Sequence, residues 1–214
     1  MKKNIVIFDF DGTIADTYPI IKTIIQAMAR DYGYPSFTTR QFNRARQQDL
    51  QATLKQFKIP FFRIPFLLAQ GRKKLYQLIE QVLPFKEIVE AVSRLRHQGL
   101  IIGILTSNAK QNVELFLKKH RLEVDFIDSE LSLFGKHRAL RKILKKHHWD
   151  KSLAIYVGDE VRDVKACQKI KMDVIAVSWG FNDRRILEKN HPTFIIDRPQ
   201  ELLKIISSKP MGSS

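Results

Sequence analysis

The 214-residue chain has a single cysteine, Cys167, so an internal disulfide is excluded, and no Cys or His partner stands near it at zinc-site spacing. Cys167 reads as a small helix-packing residue rather than a reactive thiol. No apolar stretch approaches the roughly 20 residues a membrane helix needs; Leu100 to Leu105 is strand-length and ends in polar residues. The opening Met1-Lys2-Lys3-Asn4 has the basic character of an export signal, but Asp9 and Asp11 interrupt the apolar run behind it. With 8 prolines and 9 glycines, 44% hydrophobic and 28% charged residues, the composition is ordinary for a globular protein and poor for a disordered one. These absences predict a folded cytoplasmic protein with no membrane association. The length suits one core domain carrying an inserted or appended module. Oligomeric state is not legible.

Acidic residues are also scarce: 22 Asp and Glu against 37 Lys and Arg give a formal net charge of +15. Such a balance occurs in nucleic-acid binders. Here the basic residues are spread along the chain, and Lys118-Lys119-His120-Arg121 and Lys145-Lys146-His147-His148 fall at the ends of expected helices, where cations suit the helix dipole. No specific nucleic-acid partner is expected, while an anionic substrate would be drawn to the surface. The six histidines show no metal-motif spacing.

Over most of the chain, short apolar runs alternate with amphipathic stretches, the pattern of a parallel sheet covered by helices on both faces. Ile5 to Phe8, Ile101 to Leu105, Asp125 to Ile127, Leu153 to Val157, Val174 to Val177 and Phe194 to Ile196 read as buried strands. Val89, Val92 and Leu95 before Gly99 predict a helix, and Val113, Leu115, Phe116 and Leu117 another. Between Asp16 and Pro84 the strand signal fades, and Ile21, Ile24, Ile25 and Met28 repeat at helical spacing. Pro19 suits a first helical turn, while Gly33 to Ser36 and Ile59 to Pro65 supply breaks. The reading is an α/β fold with a Rossmann-like parallel-sheet core over 1–15 and 85–214, and an inserted cap of about four helices over 16–84.

Four motifs carry chemistry. Phe8-Asp9-Phe10-Asp11-Gly12-Thr13 follows a strand, and period two would put both carboxylates on one side, roughly 6.6 Å apart. One could attack an electrophile while the other reaches its leaving group. A pair of buried carboxylates requires a cation or a proton. Leu105-Thr106-Ser107-Asn108 ends the next long strand, where ligands collect in open α/β sheets. A hydroxyl and a backbone N–H there can grip phosphoryl oxygens, although Thr106 and Ser107 also suit a helix N-cap. Lys136 opens a helix, a position at which the dipole favours an anion, so it makes sense as a neutralising charge. In Val157-Gly158-Asp159-Glu160-Val161-Arg162-Asp163, Asp159 and Asp163 are four apart, the spacing of one helical face, and an oxygen-only set favours magnesium. Glu160 reads as a helix-start residue.

In order and in placement, these motifs resemble the haloacid dehalogenase superfamily. Pro84-Phe85 to Ile104, Ser132-Leu133-Phe134-Gly135-Lys136 and Trp179-Gly180-Phe181 are similar to its phosphoglycolate phosphatase-like branch, which inserts a helical C1 cap between the first and second motifs. The resemblance implies an Mg2+-dependent phosphatase acting on a small-molecule phosphate ester through an aspartyl phosphate. Asp9 would be the nucleophile and Asp11 the acid and then base. Thr106, the Ser107 amide and Lys136 would hold the phosphoryl group. Asp9, the Asp11 carbonyl and Asp159 would bind the metal, with Asp163 in support or ligating through water. An acid at Asp11 favours phosphate chemistry over dehalogenation. A phosphomutase with the same core residues, and a non-enzymatic basic nucleic-acid-associated protein, are the alternatives. Arg40, Arg44, Arg46 and Lys55 are the candidates for contacting a substrate anion from the cap.

Overall fold

A computed structural model describes residues 3–131 and 135–207. Ser132, Leu133 and Phe134, which carry part of the resemblance, and the tail at 211–214 lie outside the described residues. The first strand, β1 (Ile5–Phe8), leads through a tight turn to the two-residue β2 (Ala15–Asp16). Four helices follow, α1 (Tyr18–Asp31), α2 (Thr39–Ala45), α3 (Leu50–Gln56) and α4 (Ile64–Leu78), before β3 (Leu83–Pro84). Alternation then takes over: α5 (Ile88–His97), β4 (Ile101–Thr106), α6 (Lys110–His120), β5 (Phe126–Ser129) and α7 (Lys136–Lys146). The chain continues through β6 (Ala154–Gly158), α8 (Val161–Ile170), β7 (Asp173–Val177), α9 (Arg184–Glu188), β8 (Phe194–Ile196) and α10 (Glu201–Ser207). None of the helices described is long and apolar enough to cross a membrane.

The large sheet has six strands in the order β5-β4-β1-β6-β7-β8, all paired in parallel. Its strands read as continuous apolar runs because both faces are buried. Val6, Phe8, Ile102, Ile104, Ile155 and Val157 point to one face, packed by α5, α6, α10 and parts of α1 and α4. Ile5, Ile7, Leu105, Ala154 and Tyr156 point to the other, packed by α7 and α8. Cys167 is buried in this second layer, as a packing residue. The chain leaves β1 toward β4 and later crosses back to β6 on the other side, so the carboxyl end of β1 is the point where strand order reverses. Ligands bind at such points in open α/β sheets.

The helical segment hangs from a small antiparallel ladder, in which Ala15 faces Pro84 and Asp16 faces Leu83. Pro19 occupies the first turn of α1. Pro65, expected in a break, instead lies in the first turn of α4, where its missing N–H costs no helical bond. β5 begins at Phe126 rather than Asp125, because the Asp125 carboxylate accepts from the Ile102 N–H at 2.7 Å. α6 is capped by Ala109, so neither Thr106 nor Ser107 is its N-cap. The chain runs three residues beyond β4 before it turns into helix.

Candidate active site

β1 ends at Phe8, so Asp9 and Asp11 lie in the turn after the strand and period two does not set their directions. Local bonds do so instead. The Asp9 N–H continues the sheet by donating to the Val157 carbonyl at 2.8 Å, while one Asp9 oxygen accepts from the Phe10 N–H at 2.8 Å. Gly12, at φ 77°, lets the chain reverse against the next loop: a Cβ there would stand 2.1 Å from Asp159 Oδ2. No other residue fits that approach.

Asp159 and Asp163 also meet differently from the expected helical face. α8 starts only at Val161, with Glu160 as its N-cap, so Asp159 approaches from the end of β6 and Asp163 from the first turn of the helix. Asp163 Oδ2 accepts from the Glu160 N–H at 3.0 Å, closing a capping box that fixes its orientation. Asp159 is held by the Thr13 hydroxyl at 2.9 Å and the Phe181 N–H at 2.7 Å. Oxygen atoms of the buried Asp9, Asp159 and Asp163 lie within 4.8 Å of one another.

Lys136 enters this group from the start of α7 as a buried ammonium, 2.7 Å from Asp9 and 2.5 Å from Asp163, over the face of Tyr156. Burial pulls its pKa down, but the Asp163 and Asp9 charges more than reverse this, so it stays protonated. Burial raises Asp9, with Lys136 opposing. Asp159 is pushed well above the usual carboxylate range by burial and by the charges of Glu160, Asp9 and Asp163. Three buried carboxylates against one lysine leave a deficit of positive charge that a divalent cation would satisfy, and an oxygen-only set suits magnesium.

Asp11 stands apart from the three, partly buried and facing a cavity. Burial lifts its pKa to about 6. Its carboxylate accepts from Asn108 Nδ2 at 3.2 Å, and Asn108 is oriented in turn by Asn112 at 2.8 Å. The buried Thr106 hydroxyl accepts from the Asn108 N–H at 3.0 Å, which leaves its proton available to another acceptor. Arg162 reaches toward Ser107 Oγ at 3.4 Å and is bound by Glu160, while its buried Nη1 has no partner among the described residues. Such an orphaned donor suits an oxyanion.

The structure therefore brings Asp9, Lys136, Asp159 and Asp163 into one buried cluster; Asp11 and Ser107 border the cavity, and Thr106 lies buried at the end of β4. Asn108 and Arg162 lay inside motifs noted in the sequence, but their parts were not legible there. Arg72, from α4, has no sequence signal: it donates to the Ser107 carbonyl at 2.9 Å and to the Leu131 carbonyl at 2.6 Å, and no local pattern distinguishes it from its neighbours. Of the four cap candidates, Arg46 borders the cavity, whereas Arg40, Arg44 and Lys55 are exposed and do not.

The haloacid dehalogenase-like hydrolase family model matches residues 6–177. The chain belongs to this family. Among its relatives, this haloacid dehalogenase-like hydrolase is 31% identical over 204 residues to a phosphoglycolate phosphatase from Synechococcus elongatus, covering 94% of this chain and 96% of that one. It is 28% identical to the pyrophosphatase PpaX of Bacillus thuringiensis over 97% of this chain and 98% of the other. Its fold matches the crystal structure of a predicted phosphatase from Clostridium acetobutylicum, with a TM-score of 0.83 at 20% identity, over 97% and 99% of the two chains. Haloacid dehalogenase-like hydrolases thus share both its sequence pattern and its sheet.

Proposed function

We propose that the protein is a magnesium-dependent phosphatase that hydrolyses a small-molecule phosphomonoester through an aspartyl phosphate on Asp9, with 16–84 acting as a cap over a core of 1–15 and 85–214. The observation that carries this reading is the Asp9 carboxylate, pinned by Lys136 at 2.7 Å and by the Phe10 N–H at 2.8 Å, with Asp11 two residues on and aimed into a cavity. An Asp9 oxygen attacks phosphorus, the ester P–O bond breaks, and protonated Asp11 gives its proton to the departing alkoxide. Asp11, now a carboxylate, takes a proton from water as the water oxygen attacks phosphorus, and the Asp9 P–O bond breaks to release phosphate. Thr106, the Ser107 amide and Arg162 face the phosphoryl oxygens, and Lys136 balances the charge that builds on them. Asp9, the Asp11 carbonyl and Asp159 would hold magnesium, with Asp163 in support; the ion supplies charge neutralisation to the phosphoryl group.

The Synechococcus relative makes phosphoglycolate the first substrate to assay. A phosphomutase would use the same groups, and a nucleic-acid-binding role would use none of them. The test is inorganic phosphate release from phosphoglycolate, nucleotides, sugar phosphates and an aryl phosphate, with and without magnesium, for wild type and Asp9→Asn. Turnover requiring both magnesium and Asp9 is expected. Isomerised sugar phosphate without phosphate release would replace the reading with a mutase, and turnover indifferent to Asp9 would end it.

A further inference from the structure

The cavity that opens beside Asp11, Ser107 and Asn108 has a volume of about 380 Å³ and extends into the helical segment. Its lining changes in character along the way. On the sheet side it carries the polar groups already described, and on the helical side it is bordered by Ile25, Met28, Phe37, Phe42, Phe57 and Leu68. On the helical side the basic side chains at its border make contacts within the protein, while Arg162, on the sheet side, keeps Nη1 without a partner among the described residues. Arg72 is bonded to two carbonyls, Arg46 donates to the Gly180 carbonyl at 3.0 Å and lies over the Tyr18 ring, and Lys22 lies over the rings of Tyr18 and Phe42.

A second observation concerns the middle of α4. Gly71 borders the cavity, and a Cβ built there would meet only Met28 Sδ, at 3.8 Å. Glycine weakens a helix interior, and no close approach requires it here. What its bare backbone provides is volume.

We propose that this cavity receives the alcohol portion of the substrate, and that this portion is an extended apolar group, an alkyl chain or an aryl-bearing alcohol. The inference rests on the phosphomonoesterase reading, since Asp11 then protonates the leaving oxygen at the cavity mouth. A glycolate leaving group would put a carboxylate against this lining and leave most of the space unfilled. Apolar ligands in such pockets gain from each methylene removed from water, up to about fourfold in affinity per CH₂.

Ethylphosphonate and octylphosphonate, which resist hydrolysis, test this by calorimetric titration in magnesium. Octylphosphonate is expected to bind at least about tenfold tighter. Gly71→Leu, which fills the cavity, should reduce that preference at least fivefold while leaving ethylphosphonate affinity unchanged; Leu68→Trp serves if Gly71→Leu does not fold. Equal binding of the two ligands overturns the proposal, and so does tighter binding of phosphonoacetate than of either. Phosphate release separates this inference from the parent reading. If neither octyl phosphate nor phosphoglycolate turns over while the octyl preference holds, the apolar site stands and the phosphatase falls. Turnover of phosphoglycolate alone, without octyl preference, does the reverse.

Discussion

The strand-end half of the site and its helical half meet at Asp11 and are held in contrasting ways. On the sheet side nearly every carboxylate oxygen has a named donor: the Phe10 N–H and Lys136 on Asp9, the Thr13 hydroxyl and Phe181 N–H on Asp159, Lys136 and the Glu160 N–H on Asp163. On the helical side most of the walls are side chains of Phe, Ile, Leu and Met, which fix no direction and pack against whatever shape is offered, with Lys22, Arg46 and Arg72 at the border. Directional bonds are needed where a reaction must be aimed to a fraction of an ångström. Shape and area suffice where a leaving group has only to be accommodated. On the proposed function, the contrast would give reaction type to the sheet and substrate choice to the helices.

Asp9→Asn bears hardest on this division. It should lower kcat by more than about a thousandfold on every substrate, measured as phosphate release, because in the proposed mechanism Asp9 alone forms the covalent intermediate. Asp11→Asn comes next, with an expected loss of about a hundredfold to ten-thousandfold on alkyl phosphates. The loss should be smaller on an aryl phosphate, whose leaving oxygen needs less protonation; equal losses would remove Asp11 as the acid. Lys136→Met tests stability: it strands Asp9 and Asp163 in the interior, and urea unfolding without magnesium should show a loss of about 3–5 kcal/mol, typical of a broken buried pair.

A smaller effect follows from pH. Asp11 holds its proton up to about 6 in the fold against an ordinary 3.8, so across that window the metal-free folded chain binds more protons than the unfolded chain. Stability therefore falls as pH rises through the window. The drop in Tm between pH 5 and pH 7 should be smaller in Asp11→Asn than in wild type by about 2 °C or more. The smallest effect belongs to Arg40, Arg44 and Lys55, exposed and away from the cavity: alanine at each should leave kcat/KM within about twofold. A larger change there would extend the helical half of the site beyond its apolar walls.

The sheet was legible because strands buried on both faces must be apolar throughout, and Ile5 to Phe8, Ile101 to Leu105 and Val174 to Val177 have few other uses. The clustered carboxylates Asp9, Asp159 and Asp163 were legible because each directly follows such a run or opens the next helix. How they are aimed was not. Asp9 with Asp11, and Asp159 with Asp163, were assigned to regular elements, whereas turn geometry and a capping box orient them. Ladders such as Ala15–Asp16 with Leu83–Pro84 are too short to show any period. Arg72 and Gly71 are ordinary helical residues until α4 is laid against α1 and the β4 end, so their meaning exists only in three dimensions.

That two-residue ladder has a consequence for how such a chain can change over time. It brings the two ends of the helical segment side by side, so everything between Asp16 and Leu83 is, to the sheet, a closed loop. The entropy of closing a loop grows only logarithmically with its length. Of the helices between those ends, α2 and α3 take no part in the layer packed on the sheet, so they can be lengthened, shortened or exchanged without shifting the register of a single parallel strand. Inheritance can therefore act on those helices and on the sheet separately, remodelling the cavity wall while the carboxylate cluster stays in place.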